Sequence, residues 1–128
     1  MSGREFTLFL LREDFSVCRL SGLDGVRTDV PFTFLSITPD EISLVCPTKK
    51  VPATTEKRED GWRAFRVDGV LDFALIGILS QITGALAKEK ISVFAISTYN
   101  TDYCLVRAER AQDAVKALRD AGYSIAED

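Results

Sequence analysis

The second half of the chain passes through strand-like and helix-like periodicities in one fixed order. Residues 62–67, Trp-Arg-Ala-Phe-Arg-Val, alternate apolar and charged side chains, as a half-buried strand does. The next segment is predicted to be a helix over about residues 77–90, because apolar side chains recur at spacings of four, three and four: Leu75, Leu79, Ile82 and Leu86. Gly84 lies inside this predicted helix, where a glycine costs ~1 kcal/mol in helix propensity, so its presence favours close packing of the helix against a sheet.

Two further strands, a second helix and a last short strand follow. The apolar runs 91–96 and 103–106 flank a polar turn, and residues 123–125 fit a short strand. Gly122 is a natural stop for the second helix, whose apolar face is formed by Ala111, Ala114, Val115 and Leu118. The order β-α-β-β-α-β predicts an α+β protein with a ferredoxin-like sandwich, in which an antiparallel four-stranded sheet carries both helices on one face.

The first half contains four strand-like runs, which predict two hairpins. One hairpin pairs residues 6–11 with residues 15–20, and the other pairs residues 32–37 with residues 41–46. Residues 47–60 hold two prolines, several charges and almost no large apolar side chain. This composition predicts a connector between the two halves.

The two halves also resemble each other weakly. The resemblance has two explanations, the shared geometry of two strand–turn–strand segments or a duplication. A duplication predicts two tandem units, a degenerate one over residues 1–60 and a complete one over residues 61–128. When the first half is shifted by 61 positions, five positions carry identical or similar residues: Leu35 and Ile96, Ser36 and Ser97, Glu41 and Asp102, Leu44 and Leu105, and Val45 and Val106.

The chain contains no histidine, which removes the commonest general base and the commonest metal ligand together. Catalysis by a Ser-His-Asp or Cys-His arrangement is excluded on this ground. Cys18, Cys46 and Cys104 lie far apart in apolar runs without a CxxC spacing, so we predict buried free thiols. The sequence therefore predicts a protein that is not an enzyme and that holds no metal and no cofactor.

Charge is spread evenly along the 128 residues, whose formal net charge is −3. Residues 1–60 carry eight basic and ten acidic side chains, and residues 61–128 carry eight and nine, so neither half forms the basic patch that nucleic acid requires. No apolar stretch approaches the ~20 residues that span a bilayer. The first residues, Met-Ser-Gly-Arg-Glu, lack the apolar core of a signal peptide. These features predict a cytoplasmic protein that binds neither nucleic acid nor membrane.

Two polar segments are candidates for a ligand site. The loop 68–76 leads into the helix at Gly77, whose missing side chain lets a ligand approach the free N–H groups of the first turn, and such groups attract anions. The turn 97–102 gathers hydroxyls, an amide and the Asp102 carboxylate, which can pair with an ammonium or a guanidinium. Each segment also has a purely structural explanation. Gly77 can simply ease the turn while water or Asp72 satisfies the N–H groups, and Ser, Thr, Asn and Asp are ordinary turn formers.

The residues around these segments resemble one family. The helix start Gly-Ile-Leu-Ser-Gln-Ile at residues 77–82 and the run Ile-Ser-Val-Phe-Ala-Ile-Ser-Thr-Tyr-Asn-Thr-Asp-Tyr at residues 91–103 are similar to the ACT domain. The similarity is to the branch found in aspartate kinase regulatory tails and cytosolic arginine sensors. It is strong over residues 62–106 and weaker over residues 32–47 and 15–20. It implies two tandem ACT-like units, of which the first is degenerate.

The resemblance implies a non-catalytic sensor or regulatory module that binds an amino acid or a related metabolite at an ACT interface. Asp102 is then the residue that contacts the cationic group of the ligand, with Ser97 and Thr98 beside it. The loop that supplies backbone groups is formed by Leu75, Ile76, Gly77 and Ile78. Many ACT domains have a proline where this chain has Ile76, so the loop is less stiff here.

The chain carries no recognisable effector domain, and the resemblance therefore implies action as a homodimer or on a separate effector protein. The alternative function is a structural module that mediates oligomerisation or protein interaction and binds no small ligand. Both functions use the same sheet edges and loops, so the residue pattern leaves them open.

Overall fold

The computed structural model describes residues 7–68 and 77–127. Within these ranges, no helix is long and apolar enough to cross a membrane. Short 3-10 turns at Thr48–Lys50 and Ala108–Arg110 follow the fourth and seventh strands. The described ranges form eight strands and two α-helices, namely β1 Thr7–Leu10, β2 Phe15–Leu20, β3 Phe34–Ile37, β4 Ile42–Pro47, β5 Thr55–Val67, α1 Ile78–Lys88, β6 Phe94–Ser97, β7 Asp102–Arg107, α2 Ala111–Asp120 and β8 Ser124–Glu127.

The contacts between residues divide the chain into two compact units. Unit 1 combines the chain up to Arg12 with the chain from Arg63 onward, and unit 2 is Glu13–Trp62. The strand β5 therefore contributes its first part to unit 2 and its last part to unit 1. The division into halves at residue 60 stays a prediction, because these units group residues by contact and not by descent.

Unit 1 has the ferredoxin-like architecture that the sequence predicts, with one additional strand. Its strands lie in the order β6-β7-β5-β1-β8. β1 runs antiparallel to β5 and parallel to β8, so it separates the first and last strands of the β-α-β-β-α-β unit. The sheet therefore has five strands, where the sequence predicts four.

The predicted hairpin of residues 6–11 with residues 15–20 is wrong. β1 pairs with β5 and β8, whereas β2 pairs with β4 and β5. The reason lies in burial: Leu8 and Leu10 of β1 are fully buried in the core of unit 1, where both helices pack. A two-stranded hairpin could not cover these side chains, since an isolated hairpin is marginally stable at best.

Both helices pack on one face of the unit 1 sheet. The predicted helix face of Leu79, Ile82 and Leu86 meets the strands as expected, and Leu75 lies outside the described residues. The face predicted for the second helix is also confirmed. The buried core that these elements share contains Leu8, Leu10, Phe65, Val67, Ile82, Leu86, Ile91, Cys104, Val106, Ala111, Ala114, Val115, Ala117, Leu118 and Tyr123.

Gly84 does not pack against the sheet, and that prediction is wrong. The residue is exposed in the middle of α1, and a Cβ atom added to it would meet no described atom within 4 Å. We expect Gly84→Ala to raise the free energy of unfolding by about 0.5–1 kcal/mol, because alanine loses less backbone entropy on folding. Urea denaturation followed by circular dichroism measures the change. A loss of stability in Gly84→Ala would show that something approaches this face of α1.

Gly77→Ala is the matched control for that substitution. Gly77 has a φ of 80°, in the left-handed region, so a side chain there is strained whatever the space around it. The same chemical change is expected to destabilise the protein at this position, by about 1–2 kcal/mol. Opposite signs for the two variants would separate the effect of backbone conformation from that of packing.

Unit 2 is an antiparallel sheet with the strand order β3-β4-β2-β5. The predicted hairpin of residues 32–37 with residues 41–46 is confirmed by the pairing of β3 with β4. The predicted connector 47–60 is wrong over its second part, since β5 begins at Thr55. Its charged side chains are exposed, and one of them, Glu56, forms an ion pair with Arg19 of β2 at 3.5 Å. A strand with such a face lacks the apolar alternation that identifies strands in a sequence.

The two units share a strand order although only unit 1 contains α-helices among the described residues. If the strands are counted from β5 in unit 1 and from β2 in unit 2, both sheets have the order second, third, first, fourth. In unit 1 the strand β1 is inserted between the first and the fourth. The paired residues of β3 with β4 and of β6 with β7 correspond under a shift of 60 positions, as in Ser36↔Ser43 and Ile96↔Tyr103. The shift of 61 used for the sequence matches is therefore one residue away from the structural correspondence. The tandem duplication stays a prediction.

Candidate ligand-binding site

The first candidate segment lies at the N-terminus of α1. Gly77 is the residue before the helix, and its carbonyl accepts a hydrogen bond from the N–H of Gln81 at 2.8 Å. Among the described residues, no side chain forms a capping hydrogen bond at this helix end, and the first turn has no acidic residue. The helix dipole favours an anion beside the N–H groups of this first turn.

The backbone conformation of Gly77 favours glycine. Its left-handed φ is unfavourable for residues with a Cβ atom, and among the described residues an added Cβ would meet Gln81 Nε2 at 3.9 Å. The neighbouring Ile78 packs its side chain against the core of unit 1, so it can offer a ligand its backbone. The predicted site residues Leu75 and Ile76 lie outside the described residues.

The second candidate segment is the turn between β6 and β7. Ser97 and Asp102 are the last paired residues of the two strands. The Thr98 N–H donates to the carbonyl of Thr101 at 2.9 Å, and the Thr98 hydroxyl donates to the same oxygen at 3.0 Å. The Thr101 N–H in turn donates to the Thr98 hydroxyl at 3.3 Å. The hydroxyl of Thr98 therefore has the structural role of a turn former, while Ser97 is exposed.

Asp102 is the one acidic side chain of this turn. It is partly buried, and it forms no ion pair with any residue in ranges 7–68 and 77–127. Its negative charge also contributes to raising the pKa of the buried Cys104 thiol, after the larger effect of burial. A carboxylate that is partly desolvated and lacks a cation within the described chain is suited to bind an ammonium or a guanidinium.

Thr101 is a residue of this turn that the sequence does not single out. Its side chain is only 7% exposed, and its hydroxyl donates to the carbonyl of Val67 at 2.8 Å. Val67 ends β5, and the segment 68–76 follows it toward α1. The bond places Thr101 of the β6–β7 turn beside the C-terminal end of β5. A threonine within a polar turn carries no sequence signal that distinguishes this role from that of its neighbours.

The predicted residues thus occupy two places in unit 1. Gly77 and Ile78 begin α1, and Ser97, Thr98 and Asp102 form the end of the β6–β7 hairpin. That they form one binding site stays a prediction. A separate groove of about 310 Å³ lies between the helices and contains none of these residues. It is lined by Gln81, Ala85, Lys88, Glu89, Ala117, Asp120, Ala121 and Tyr123.

The three cysteines are buried and free, as predicted. Burial is the largest cause that raises the pKa of Cys104 to about 12 and that of Cys46 to about 11. Burial also raises the pKa of Cys18, although nearby Arg58 opposes this shift. The reactive thiolate is therefore scarce at neutral pH. Among the described residues, no three cysteine, aspartate or glutamate side chains gather as a metal site would require.

The strand order of unit 1, with two helices on one face of the sheet, defines a ferredoxin-like α+β domain. Residues 57–120 match the ACT domain family, and the chain belongs to this family. The matched range runs from near the start of β5 to the end of α2 and leaves out β1 to β4 and β8.

Known proteins are similar over a larger part of the chain. The cytosolic arginine sensor for mTORC1 subunit 1 of Rattus norvegicus is 33% identical over 99 residues, which are 72% of this chain and 30% of the relative. A protein of Agrobacterium tumefaciens has a crystal structure with a TM-score of 0.84 and 26% identity, covering 96% of this chain and 93% of that one.

The fold is also that of a regulatory subunit. The ligand-free regulatory subunit of aspartate kinase from Thermus thermophilus gives a TM-score of 0.64 at 10% identity, over 94% of this chain and 99% of that one. Arginine sensors and aspartate kinase regulatory domains are the two groups that the sequence resemblance indicates, so the predicted branch of the family is confirmed. The chain spans about 30% of the length of the curated relative described above.

Proposed function

We propose that this chain is a non-catalytic regulatory module that binds an amino acid or a related metabolite. The observation that carries the proposal is Asp102, a partly buried carboxylate that forms no ion pair with the described residues and directly follows Thr101, which is bonded to the end of β5. An amino acid carries both charges that this arrangement favours. Its carboxylate suits the helix N-terminus, and its ammonium or a cationic side chain suits Asp102.

The relatives support the same proposal. One is named as a cytosolic arginine sensor and another as a regulatory subunit of aspartate kinase. By analogy, the site consists of the backbone of Leu75, Ile76, Gly77 and Ile78 with the side chains of Ser97, Thr98 and Asp102. The analogy also extends to a cytoplasmic location and to action through a homodimer or a separate effector protein.

A second function is favoured by a different feature, the edge strand β3. This strand has no charged residue, and its Leu35 and Ile37 are exposed, Ile37 by 62%. Edge strands with apolar side chains and no charge tend to pair with another chain. The second candidate is therefore a structural module that mediates oligomerisation or protein interaction and binds no small ligand.

A thermal stability screen separates the two candidates. Each of the twenty amino acids is added at millimolar concentration, and the unfolding temperature is measured. A ligand present at 100 times its dissociation constant adds ~2.7 kcal/mol to the free energy of unfolding. We expect one amino acid or a few chemically related ones to produce such a shift. No shift with any of the twenty, together with a mass in sedimentation that exceeds that of one chain, would favour the structural module.

A further inference from the structure

The hydroxyl of Thr101 has a role that closing its own turn does not require. The turn is closed by hydrogen bonds from Thr98 to Thr101 and back. Those bonds use the N–H and the hydroxyl of Thr98, but only the main-chain N–H and carbonyl of Thr101. The Thr101 hydroxyl instead points away from the turn to the carbonyl of Val67 at 2.8 Å. This hydrogen bond is buried, so water cannot easily replace either the Thr101 hydroxyl or the Val67 carbonyl as a partner.

Unit 2 contains a turn that serves as an internal comparison. There the Thr38 N–H donates to the carbonyl of Glu41 at 3.0 Å, and the Glu41 N–H donates to the Thr38 hydroxyl at 3.2 Å. Under the shift of 60 positions, Thr38 corresponds to Thr98 and Glu41 to Thr101. Glu41 is exposed, so this turn closes in the same way without a buried side-chain anchor. The anchor is therefore an additional feature of the turn that carries Asp102.

The bond joins two parts of the candidate site. Val67 is followed by Asp68, whose N–H donates to the carbonyl of Thr7 on β1 at 2.8 Å. The end of β5 thus has β1 on one side, while on the other side it has β7 and the hydroxyl of Thr101. Asp102 directly follows Thr101, and residues 68–76 directly follow Val67. One hydroxyl consequently connects the carboxylate of the turn to the beginning of the segment that leads to α1.

We propose that Thr101 is a positioning residue, whose buried hydroxyl fixes the Asp102 turn against the end of β5. The part of this inference that concerns ligand affinity rests on the proposed function, whereas the part that concerns the turn does not. Without the hydroxyl, the turn still closes through Thr98 and β7 still pairs with β5, but Thr101 is no longer fastened to the end of β5. The carboxylate of Asp102 then samples a wider range of positions relative to the end of β5.

The first test uses the free protein and the variants Thr101→Val, Thr101→Ala and Thr101→Ser. Valine has nearly the shape of threonine but cannot donate, alanine removes the same bond without adding bulk, and serine retains the hydroxyl. Amide hydrogen exchange is followed by NMR at Thr98 and Asp68, with Thr38 of unit 2 as the control amide. Should the valine variant not fold, the alanine variant supplies the same comparison.

We expect exchange at Thr98 and Asp68 to be about five- to tenfold faster in the valine or alanine variant, which corresponds to the loss of one buried hydrogen bond. Serine should restore the wild-type rates, and Thr38 should be unchanged in every variant. Equal rates at Thr98 and Asp68 in all four proteins would overturn the inference. A uniform increase that includes Thr38 would do the same, since it would indicate general destabilisation.

The second test measures affinity by calorimetry, with L-arginine as the probe or, if another amino acid stabilises the wild type more, with that amino acid. We expect a loss of roughly fivefold or more in Thr101→Val and its recovery in Thr101→Ser. Equal affinity in the wild type and Thr101→Val would overturn the positioning of the ligand site. If the wild type binds none of the twenty amino acids, the proposed function fails, and the exchange rates alone decide the role of Thr101.

Discussion

Replacing Leu118 by alanine is expected to lower the free energy of unfolding of unit 1 by about 2–5 kcal/mol. Leu118 lies on α2, is 0% exposed and belongs to the core that both helices form with the sheet. The substitution removes buried methyl groups and leaves a cavity that the surrounding side chains fill only in part. A loss of this size is a large fraction of the 5–15 kcal/mol that stabilises a typical domain. Urea denaturation followed by circular dichroism measures it.

Leu23→Ala is the control for that experiment. Leu23 is 49% exposed, so the same chemical change there removes few contacts and is expected to alter the free energy of unfolding by at most about 0.5 kcal/mol. A loss below ~1 kcal/mol in Leu118→Ala would contradict the packing of α2 on the sheet. Equal losses in both variants would indicate that the change acts on the unfolded chain.

Replacing Asp102 by asparagine is expected to weaken the binding of a cationic amino acid by about 10- to 100-fold. Asparagine has nearly the same shape as aspartate but carries no charge, so a charge-assisted hydrogen bond becomes a neutral one or is lost. Hydrogen bonds to charged groups contribute ~1.5–3 kcal/mol, and each ~1.4 kcal/mol changes affinity tenfold. Calorimetry with L-arginine, at fixed ionic strength, measures the change.

Asp40→Asn is the matched control for Asp102→Asn. Asp40 lies in the turn of unit 2 that the Thr38 hydroxyl closes, and it is exposed. The control removes one negative charge from the chain without altering the candidate site, so its affinity should equal that of the wild type. Unchanged affinity in Asp102→Asn would falsify the assignment of the site. Equal losses in both variants would show that overall charge, and not Asp102, attracts the ligand.

The helices and most strands of unit 1 could be predicted because their signals are local. The spacing of Ile82 and Leu86 on α1 reflects burial against the sheet, and a window of a few turns contains it. Strand pairing is different, because it depends on residues far apart in the sequence. The alternation around Leu8 and Leu10 predicts a strand correctly, but nothing within it distinguishes a neighbouring strand as partner from β5 and β8.

The candidate site could be predicted only in the parts that carry distinctive residue types. Asp102 and Gly77 stand out by charge and by backbone freedom, whereas the anchor at Thr101 depends on the position of the Val67 carbonyl, 34 residues away.

The charged first part of β5 cannot be identified as a strand from its sequence, for a related reason. Side chains such as Glu56 are exposed on a sheet face, and their composition alone is the same as that of a loop.

The insertion of β1 between β5 and β8 has a consequence for how the polypeptide folds during its synthesis. β1 leaves the ribosome early, but the residues that pair with Leu8 are Val67 on one side and Ile125 on the other. Until Val67 has been made, β1 lacks both of these partners, and the side that pairs with β8 waits for Ile125. The intervening segment Glu13–Trp62 is complete before either of them. Forming pairs so distant along the chain requires the closure of long loops and is therefore slow. We expect unit 2 to fold first and the unit that carries the candidate site to be completed last.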